Sequence, residues 1–276
     1  MDIIGLGAAA CNIVEHFEEY PQYNTYKLDS EKRSGRFFQL KKCSTPEQYE
    51  VETPDLSDFF SEIESEISFF VVGSGLISAS SLSILEQLKD KNITLYYIQP
   101  KINSLTGNKK KLERVTFGIL QQYARSGLLD KIVLLSNQKI IDIVGNLPVI
   151  GYYKKINDLI ASTIHYINIF NRTKHVYGVI EGKENVCRIE TIGLLDTESS
   201  REKLFYDLDL VREKDYIYAL NNEELLNESN IVLNIEKEMQ EKKEGDLTKI
   251  SYRLYSTEYK DNFGFCIFRT SKVQGE

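Results

Sequence analysis

The stretch Met-Asp-Ile-Ile-Gly-Leu-Gly-Ala-Ala-Ala-Cys-Asn occupies residues 1–12 and decides the fold. Ile3 and Ile4 predict a short buried strand, and the glycines and alanines that follow predict a tight turn into a helix starting near Asn12. A strand that reaches a helix N-terminus through a glycine turn can bind phosphate, because backbone N–H groups and the helix dipole face the anion. A tight strand-to-helix turn without any ligand fits the same stretch equally well.

The composition is that of an ordinary globular protein. The chain has 276 residues, of which 42% are apolar and 27% charged, enough for one large domain or two modest ones. A net charge of −7 argues against binding duplex DNA or anionic membranes through bulk charge. The sequence has neither a membrane-length apolar run nor the basic start of a secretory signal, so we expect a cytoplasmic protein.

The cysteines and histidines do not form a recognisable metal motif. The four cysteines are scattered without a CxxC pair, and the three histidines lack the spacing of metal ligands. We therefore expect reduced thiols and predict no metal site built from the cysteine and histidine side chains.

Apolar strands alternate with helices through the first 170 residues. The predicted strands are 24–28, 69–72, 93–98 and 131–135, and the predicted helices are 13–17, 56–67, 76–89, 109–126, 139–144 and 152–170. This alternation is typical of an α/β fold whose mostly parallel sheet is covered on both faces. Ligands of such sheets bind at the carboxyl ends of the strands, which here carry Gly5–Asn12, Asp29, Gly73–Ser78, Gln99–Pro100 and Asn137.

The pattern after residue 185 predicts a smaller α+β part. Its predicted strands are 186–195, 216–220, 250–258 and 263–270, with a charged helical region at 222–243. The turn Lys260-Asp261-Asn262 predicts a hairpin between the last two strands.

This order of elements resembles the tubulin/FtsZ superfamily over most of the chain. The segments that carry the resemblance are Gly5–Asn12 (first nucleotide loop of FtsZ), Lys42–Glu47 (third loop), Gln99–Lys111 (a loop and the basic helix start after it), Leu134–Asn137 (the Ile-Pro-Asn-Asp loop) and Tyr153–Asn157 (start of the central helix). The resemblance implies a mostly parallel, Rossmann-like nucleotide-binding (GTPase-like) domain at 1–151. A central helix and linker at 152–175 would join it to a C-terminal α+β domain at 176–276.

The resemblance also implies a guanine-nucleotide site. GTP or GDP would bind with magnesium held through the phosphates, helped by Asp29 or Glu47. Guanine would lie between Asn137 and the pair Tyr153 and Asn157, whose spacing puts both side chains on one helix face. An exposed helix start fits that pair equally well. The phosphates would lie over residues 5–12 and 73–80, and the further cofactor-binding residues would be Gly5, Gly7, Ala8, Ala9, Cys11, Asn12, Asp29, Gly73, Gly75 and Ser78.

Two departures from the superfamily pattern bear on its chemistry. The loop Gly-Gly-Gly-Thr-Gly-Thr-Gly is replaced by Gly-Ser-Gly-Leu-Ile-Ser-Ala-Ser at 73–80, where bulky Leu76 and Ile77 oppose close backbone approach. We therefore expect weakened, altered or lost phosphate binding. The Asn-x-Asp-x-x-Asp loop, which completes the GTPase site of the next subunit, is replaced by Glu181-Gly-Lys-Glu184. These two carboxylates are the candidate catalytic residues, although a solvated turn fits them at least as well, and GTPase activity stays open.

Three functions are compatible with the sequence. The first is a divergent tubulin/FtsZ-like protein that binds a guanine nucleotide and assembles head to tail into cytoskeletal-type filaments, with weak or lost hydrolysis. The second keeps the fold without nucleotide and acts as a structural or interaction protein. The third is a Rossmann NAD(P)-binding protein, favoured by Gly5-x-Gly7-x-x-Ala10 and Asp29, which explains nothing after residue 29.

The partners expected are other copies of this chain and, in addition, an adaptor protein. Only six residues follow Thr270, so the long tail through which FtsZ engages membrane adaptors is not expected. The basic run 108–114 is interpreted as a solvated helix start, and neither direct nucleic-acid binding nor membrane insertion is expected.

Overall fold

The chain folds into two compact units. The computed structural model describes residues 1–146, 148, 150–243, 245 and 247–275. The first unit comprises Met1–Ala161 with Val273–Glu276, and the second comprises Ser162–Lys272. Among the residues described, no helix combines the length and apolar content needed to cross a bilayer.

The first unit is built on a parallel sheet of six strands. They are β1 (Asp2–Leu6), β2 (Asn24–Asp29), β3 (Phe37–Gln39), β4 (Glu66–Val72), β5 (Asn92–Gln99) and β6 (Lys131–Ser136), in the order β3-β2-β1-β4-β5-β6. The helices are α1 (Ala8–Val14), α2 (Pro46–Val51), α3 (Ser80–Gln87), α4 (Gly107–Ser126), α5 (Asn137–Val144) and α6 (Tyr152–Arg172), whose last turns belong to the second unit. Short 3-10 turns lie at 15–19, 76–79 and 102–104.

The strand order reverses between β1 and β4. On one side of β1 lie β2 and β3, and on the other side β4 leads to β5 and β6. At such a point the connections leave in opposite directions and open a crevice at the carboxyl ends of the two central strands, where ligands bind. Because β1 ends at Leu6 and β4 ends at Val72, this crevice lies between the turn at Gly7 and the turn at 73–75.

The second unit has a mixed sheet. Its elements are β7 (Tyr177–Val179), β8 (Ile189–Leu195), β9 (Glu202–Leu204), β10 (Glu213–Asn221), α7 (Asn222–Asn227), α8 (Ile231–Glu241), β11 (Lys249–Thr257) and β12 (Phe263–Thr270). The strands lie in the order β9-β8-β12-β10-β11-β7, and only β10 and β11 are parallel. Eight of the nine β10 residues are buried, as expected for a strand with neighbours on both sides.

The predicted fold class is confirmed: a mostly parallel α/β sheet, a long helix and a smaller α+β part. The predicted hairpin of strands 250–258 and 263–270 is wrong, because β10 lies between β11 and β12 and pairs with both. The two strands are consecutive in the chain, but the turn between them carries no information about which strand each one pairs with.

The helix predicted over 56–67 is also wrong. Leu56, Phe60 and Ile63 are buried, but they belong to irregular turns, and Ile67 already lies in β4. The first helix begins at Ala8, four residues before the predicted start near Asn12. The sequence analysis missed the three-residue strands β3, β7 and β9, which are too short to show an alternating pattern.

Candidate functional site

The turn after β1 brings backbone atoms to the mouth of the crevice. Gly7 has φ 82°, a conformation in which a side chain is strained. Its N–H donates to the carbonyl of Leu28 (2.8 Å), and its own carbonyl accepts from the N–H of Cys11 (2.9 Å). Ala8 and Ala9 are exposed at the start of α1. The predicted residues Gly7, Ala8 and Ala9 therefore lie at the carboxyl end of β1.

Cys11 lies beneath this turn. It is fully buried, and its thiol donates to the carbonyls of Gly5 (3.4 Å) and Leu28 (3.6 Å). Burial raises the pKa of the thiol to about 12, so the group is protonated and unreactive at neutral pH. Gly5 is buried within β1, paired with β2 and β4. The Cys11 side chain therefore connects Gly5 in β1 with Leu28 in β2 beneath the turn.

Arg33 connects two of the predicted site residues and was missed by the sequence analysis. Its Nη1 donates to Oδ1 of Asn12 (2.7 Å), and its Nε and Nη2 both lie 2.8 Å from Oδ2 of Asp29. Asp29 is buried and its Oδ1 also accepts the N–H of Ser30. The carboxylate is therefore already satisfied by residues of its own chain. Arg33 lies in a polar segment without periodicity, so no sequence signal pointed to it.

The second turn rests on a buried polar cluster. A β-carbon built on Gly73 would lie 2.1 Å from Oη of Tyr97, so only glycine fits there. The Tyr97 hydroxyl donates to Oε1 of Glu113 (3.4 Å), and Nε2 of Gln99 donates to the same oxygen (3.2 Å). Burial raises the pKa of the Glu113 carboxyl. The turn is therefore positioned by side chains of β5 and α4.

The loop after Gly73 folds back on itself. Ser78 is buried, and its hydroxyl and its N–H both donate to the carbonyl of Gly75. A β-carbon built on Gly7 would lie 2.8 Å from Cγ2 of Ile77, and one built on Gly75 would lie 3.9 Å from the same methyl. The Ile77 methyl therefore packs against the turn after β1, while Leu76 is partly exposed.

A groove lies beside the first turn, at the start of α6. It has a volume of about 410 Å³ and is lined by Asn12, Glu15, His16, Glu19, Tyr153, Lys154 and Asn157. Tyr153 is 72% exposed, so one face of its ring is free for stacking. Nδ1 of His16 lies 3.5 Å from Oδ1 of Asp158 on α6. The lining contains the carboxylates of Glu15 and Glu19 and the ammonium group of Lys154.

The candidate catalytic residues lie in the second unit, between β7 and β8. Both Glu181 and Glu184 are exposed. Glu184 pairs with Lys249 (3.2 Å), and its N–H donates to the carboxylate of Glu213 (2.6 Å). The N–H of Glu181 donates to Oγ of Ser251 (2.9 Å). The segment that carries both carboxylates is thus fixed to β10 and β11 through its backbone.

No protein-family model and no curated protein sequence matches the chain. Solved structures do match over nearly its full length. A GTPγS-form protofilament of TubZ from Bacillus thuringiensis serovar israelensis has 16% identity and a TM-score of 0.73, over 97% of this chain and 86% of that one. An FtsZ dimer from M. jannaschii, described as empty, has 12% identity and a TM-score of 0.70, over 98% and 88%. The chain has the tubulin/FtsZ fold.

CetZ2 from Haloferax volcanii, a GTPγS-bound protofilament, is similar in the same way, with 12% identity and a TM-score of 0.66 over 97% of this chain and 92% of that one. The predicted resemblance to the superfamily is thereby confirmed at the level of the fold. In this tubulin/FtsZ-like chain two predicted base-site residues, Tyr153 and Asn157, share one groove with Asn12, which was predicted to contact the phosphates. Asn137 is the half-buried first residue of α5 and lies outside the lining of that groove.

Proposed function

We propose that the chain binds a guanine nucleotide and assembles head to tail into cytoskeletal-type filaments, with weak or absent hydrolysis. The observation that carries the proposal is the groove shared by Asn12, Tyr153 and Asn157, next to the crevice where the sheet order reverses. An exposed ring can stack on a purine, and two amides can pair with the donors and acceptors of its edge. The solved TubZ and CetZ2 structures of the same fold are GTPγS forms.

The second unit offers a surface for assembly. Val176 and Ile180 are each about 60% exposed and directly flank β7, whose outer edge is the end of the strand order. Exposed apolar side chains clustered on a sheet edge are typical of an interface. Neighbouring structures of this fold are described as protofilaments and filaments, which supports the same use here.

Weak hydrolysis is favoured by the state of the candidate carboxylates. Glu181 and Glu184 have the spacing to position water, and in the proposed filament they would act on the nucleotide of the next copy. Glu184 is engaged by Lys249, which reduces its capacity to polarise a water molecule. Magnesium would be held through the phosphates, since Asp29 is occupied by Arg33.

The NAD(P) alternative is disfavoured by the same ion pair. A Rossmann site uses the acidic residue at the end of the second strand to bind ribose hydroxyls. Here that residue is Asp29, which is buried and held by Arg33. The nucleotide-free alternative stays a second candidate, because Ile77 packs on Gly7 at the position where phosphate would approach.

Calorimetry with GTP, GDP and NAD tests the binding. We expect guanine-specific binding that Tyr153→Ala and Asn157→Ala weaken by about tenfold or more, since stacking contributes about 1–3 kcal/mol. Asn137→Ala tests whether that residue reads the base as well. The matched control is Tyr259→Ala, another exposed tyrosine, which lies outside the lining of the groove. The proposal would be contradicted if NAD bound equally well to wild type and to Tyr153→Ala, or if no nucleotide bound at all.

Sedimentation and light scattering test the assembly. Ile180→Lys is expected to abolish polymers that wild-type protein forms, because it puts a charge in an apolar interface. Leu233→Lys on α8 is the matched control, since Leu233 (63%) and Ile180 (61%) are equally exposed. Equal loss of polymer in both variants would overturn the assignment of the β7 edge to the filament contact.

A further inference from the structure

An aliphatic side chain of the loop after β4 packs against the turn at Gly7. Cγ2 of Ile77 lies 2.8 Å from the position of a β-carbon on Gly7 and 3.9 Å from that on Gly75. Gly7 follows β1 and Gly75 follows β4, the two strands between which the sheet order reverses. The methyl group therefore covers the turn after β1 at the switch point, where an anion would approach it.

Polar groups that could bind an anion there are already used by the chain. The Ser78 hydroxyl donates to the carbonyl of Gly75. Lys27, whose side chain is fully buried, lies 2.6 Å from the carboxylate of Glu18, and Arg33 is paired with Asp29. A phosphate approaching the turn after β1 would have to displace the Ile77 methyl, and the cations of β2 and of the segment after it are engaged by carboxylates.

The groove beside the first turn has the opposite character. It is open, and its volume of about 410 Å³ lies within the range of small-ligand sites, about 300–1,000 Å³. Its lining offers an exposed tyrosine ring and two amides. It also carries Glu15, Glu19 and Lys154, and Glu15 lies 3.8 Å from both Lys27 and Arg33, so the lining has no excess of positive charge to attract a polyanion.

We propose that Ile77 closes the phosphate subsite, so that the groove recognises the guanine nucleoside and gains no affinity from the phosphates. This inference rests on the proposed binding of guanine and specifies its ligand class. The base and ribose supply the binding energy, and the phosphates extend away from the closed subsite. Ile77 is then the residue that prevents the phosphates from contributing to binding.

Calorimetry on the full chain with guanosine, GMP, GDP and GTP tests the inference, with magnesium in every titration. For wild-type protein we expect the dissociation constants of guanosine and GTP to agree within about threefold, because the phosphates gain no charge-assisted hydrogen bonds. Ile77→Ala is expected to tighten GTP binding by about tenfold and to leave guanosine unchanged, because it removes the methyl group that covers the turn at Gly7 and opens room for a phosphate there.

Two further variants control for the loop itself. Ile77→Val retains the γ-methyl that packs on Gly7 and should behave as wild type. Leu76→Ala removes a similar volume from the adjacent residue, which is partly exposed, and should change neither dissociation constant. Thermal melts of each variant report whether it is folded.

The possible failures are distinguishable. Wild-type protein that binds GTP more than about tenfold tighter than guanosine would overturn the closed subsite while leaving the proposed guanine site intact. If the Ile77→Ala variant is folded but binds GTP no more tightly than wild type does, Ile77 is not the residue that closes the phosphate subsite. Absence of binding by all four guanine compounds would overturn the proposed function itself.

Discussion

Nη1 of Arg33 lies 2.7 Å from Oδ1 of Asn12, while Nε and Nη2 of the same guanidinium bind the buried carboxylate of Asp29. One side chain thus couples the groove residue Asn12 to the end of β2. Because the amide oxygen accepts from Arg33, the orientation of the Asn12 amide is set, and its NH2 group is turned away from Arg33. This orientation gives Arg33 a positioning role that its location in a polar loop does not reveal.

The substitution Arg33→Lys tests that role. Lysine keeps the charge but lacks the planar fork that reaches Asn12 and Asp29 together. We expect the affinity for guanosine and GTP alike to fall by about tenfold, in line with about 1.5 kcal/mol for a hydrogen bond to a charged group. Calorimetry measures the affinity. Arg36→Lys is the control, since Arg36 pairs with Glu62 and Tyr26; equal losses in both variants would remove Arg33 from the site.

The contact between Gly73 and Tyr97 predicts a stability effect. Gly73→Ala would put a methyl group 2.1 Å from the Tyr97 hydroxyl oxygen and should lower the free energy of unfolding by about 1–3 kcal/mol, as overpacking does. Urea unfolding measures this loss. The loss should be smaller in a Tyr97→Phe background, which removes that oxygen. Losses that are the same in both backgrounds would mean that the strain lies elsewhere.

The buried carboxyl of Glu113 predicts a pH dependence. Burial raises its pKa above the ordinary value, so its contribution to stability is present below about pH 4.5 and is lost as the pH rises through the folded-state pKa. Glu113→Gln is neutral at every pH and still accepts from Tyr97 and Gln99. We expect it to raise the melting temperature at pH 7 and to match wild type near pH 4.

Thermal melts at the two pH values compare this variant with wild type and with Glu47→Gln, an exposed residue at the start of α2. The control should behave as wild type at both pH values. If Glu113→Gln lowered the melting temperature at pH 7, the carboxylate would be stabilising in its charged form, contrary to the direction given by its burial.

Much of the fold was predictable because its signals are local. The apolar runs of β4 to β6, the glycine turn at Gly7 and the long periodic pattern of α6 each predict their own element. Pairing in the second unit was not predictable, because the place of β10 between β11 and β12 depends on contacts distant in the chain. Short strands such as β7 carry too few residues to register a period.

The residues of the candidate site likewise fall into those that the sequence predicted and those that it did not. The spacing of Tyr153 and Asn157 predicted a shared helix face, and both side chains line one groove with Asn12. Sequence reasoning identified Ile77 as too bulky for a phosphate loop, but which glycine it covers depends on a contact between residues 70 positions apart. Arg33 could not be predicted as a site residue, because ion pairs in an irregular loop do not follow the residue spacing of a helix or strand.

The position of β12 within the second sheet also affects biosynthesis. This strand lies between β8 and β10, yet it is translated roughly fifty residues after β10 ends, a delay of several seconds at about 5–20 residues per second. Until then β8 and β10 each present an unpaired apolar edge, the kind of surface that chaperones bind and that aggregates when left exposed. The nascent chain is therefore most vulnerable while the ribosome translates α7 to β12, whereas the six strands of the first unit have by then already been made.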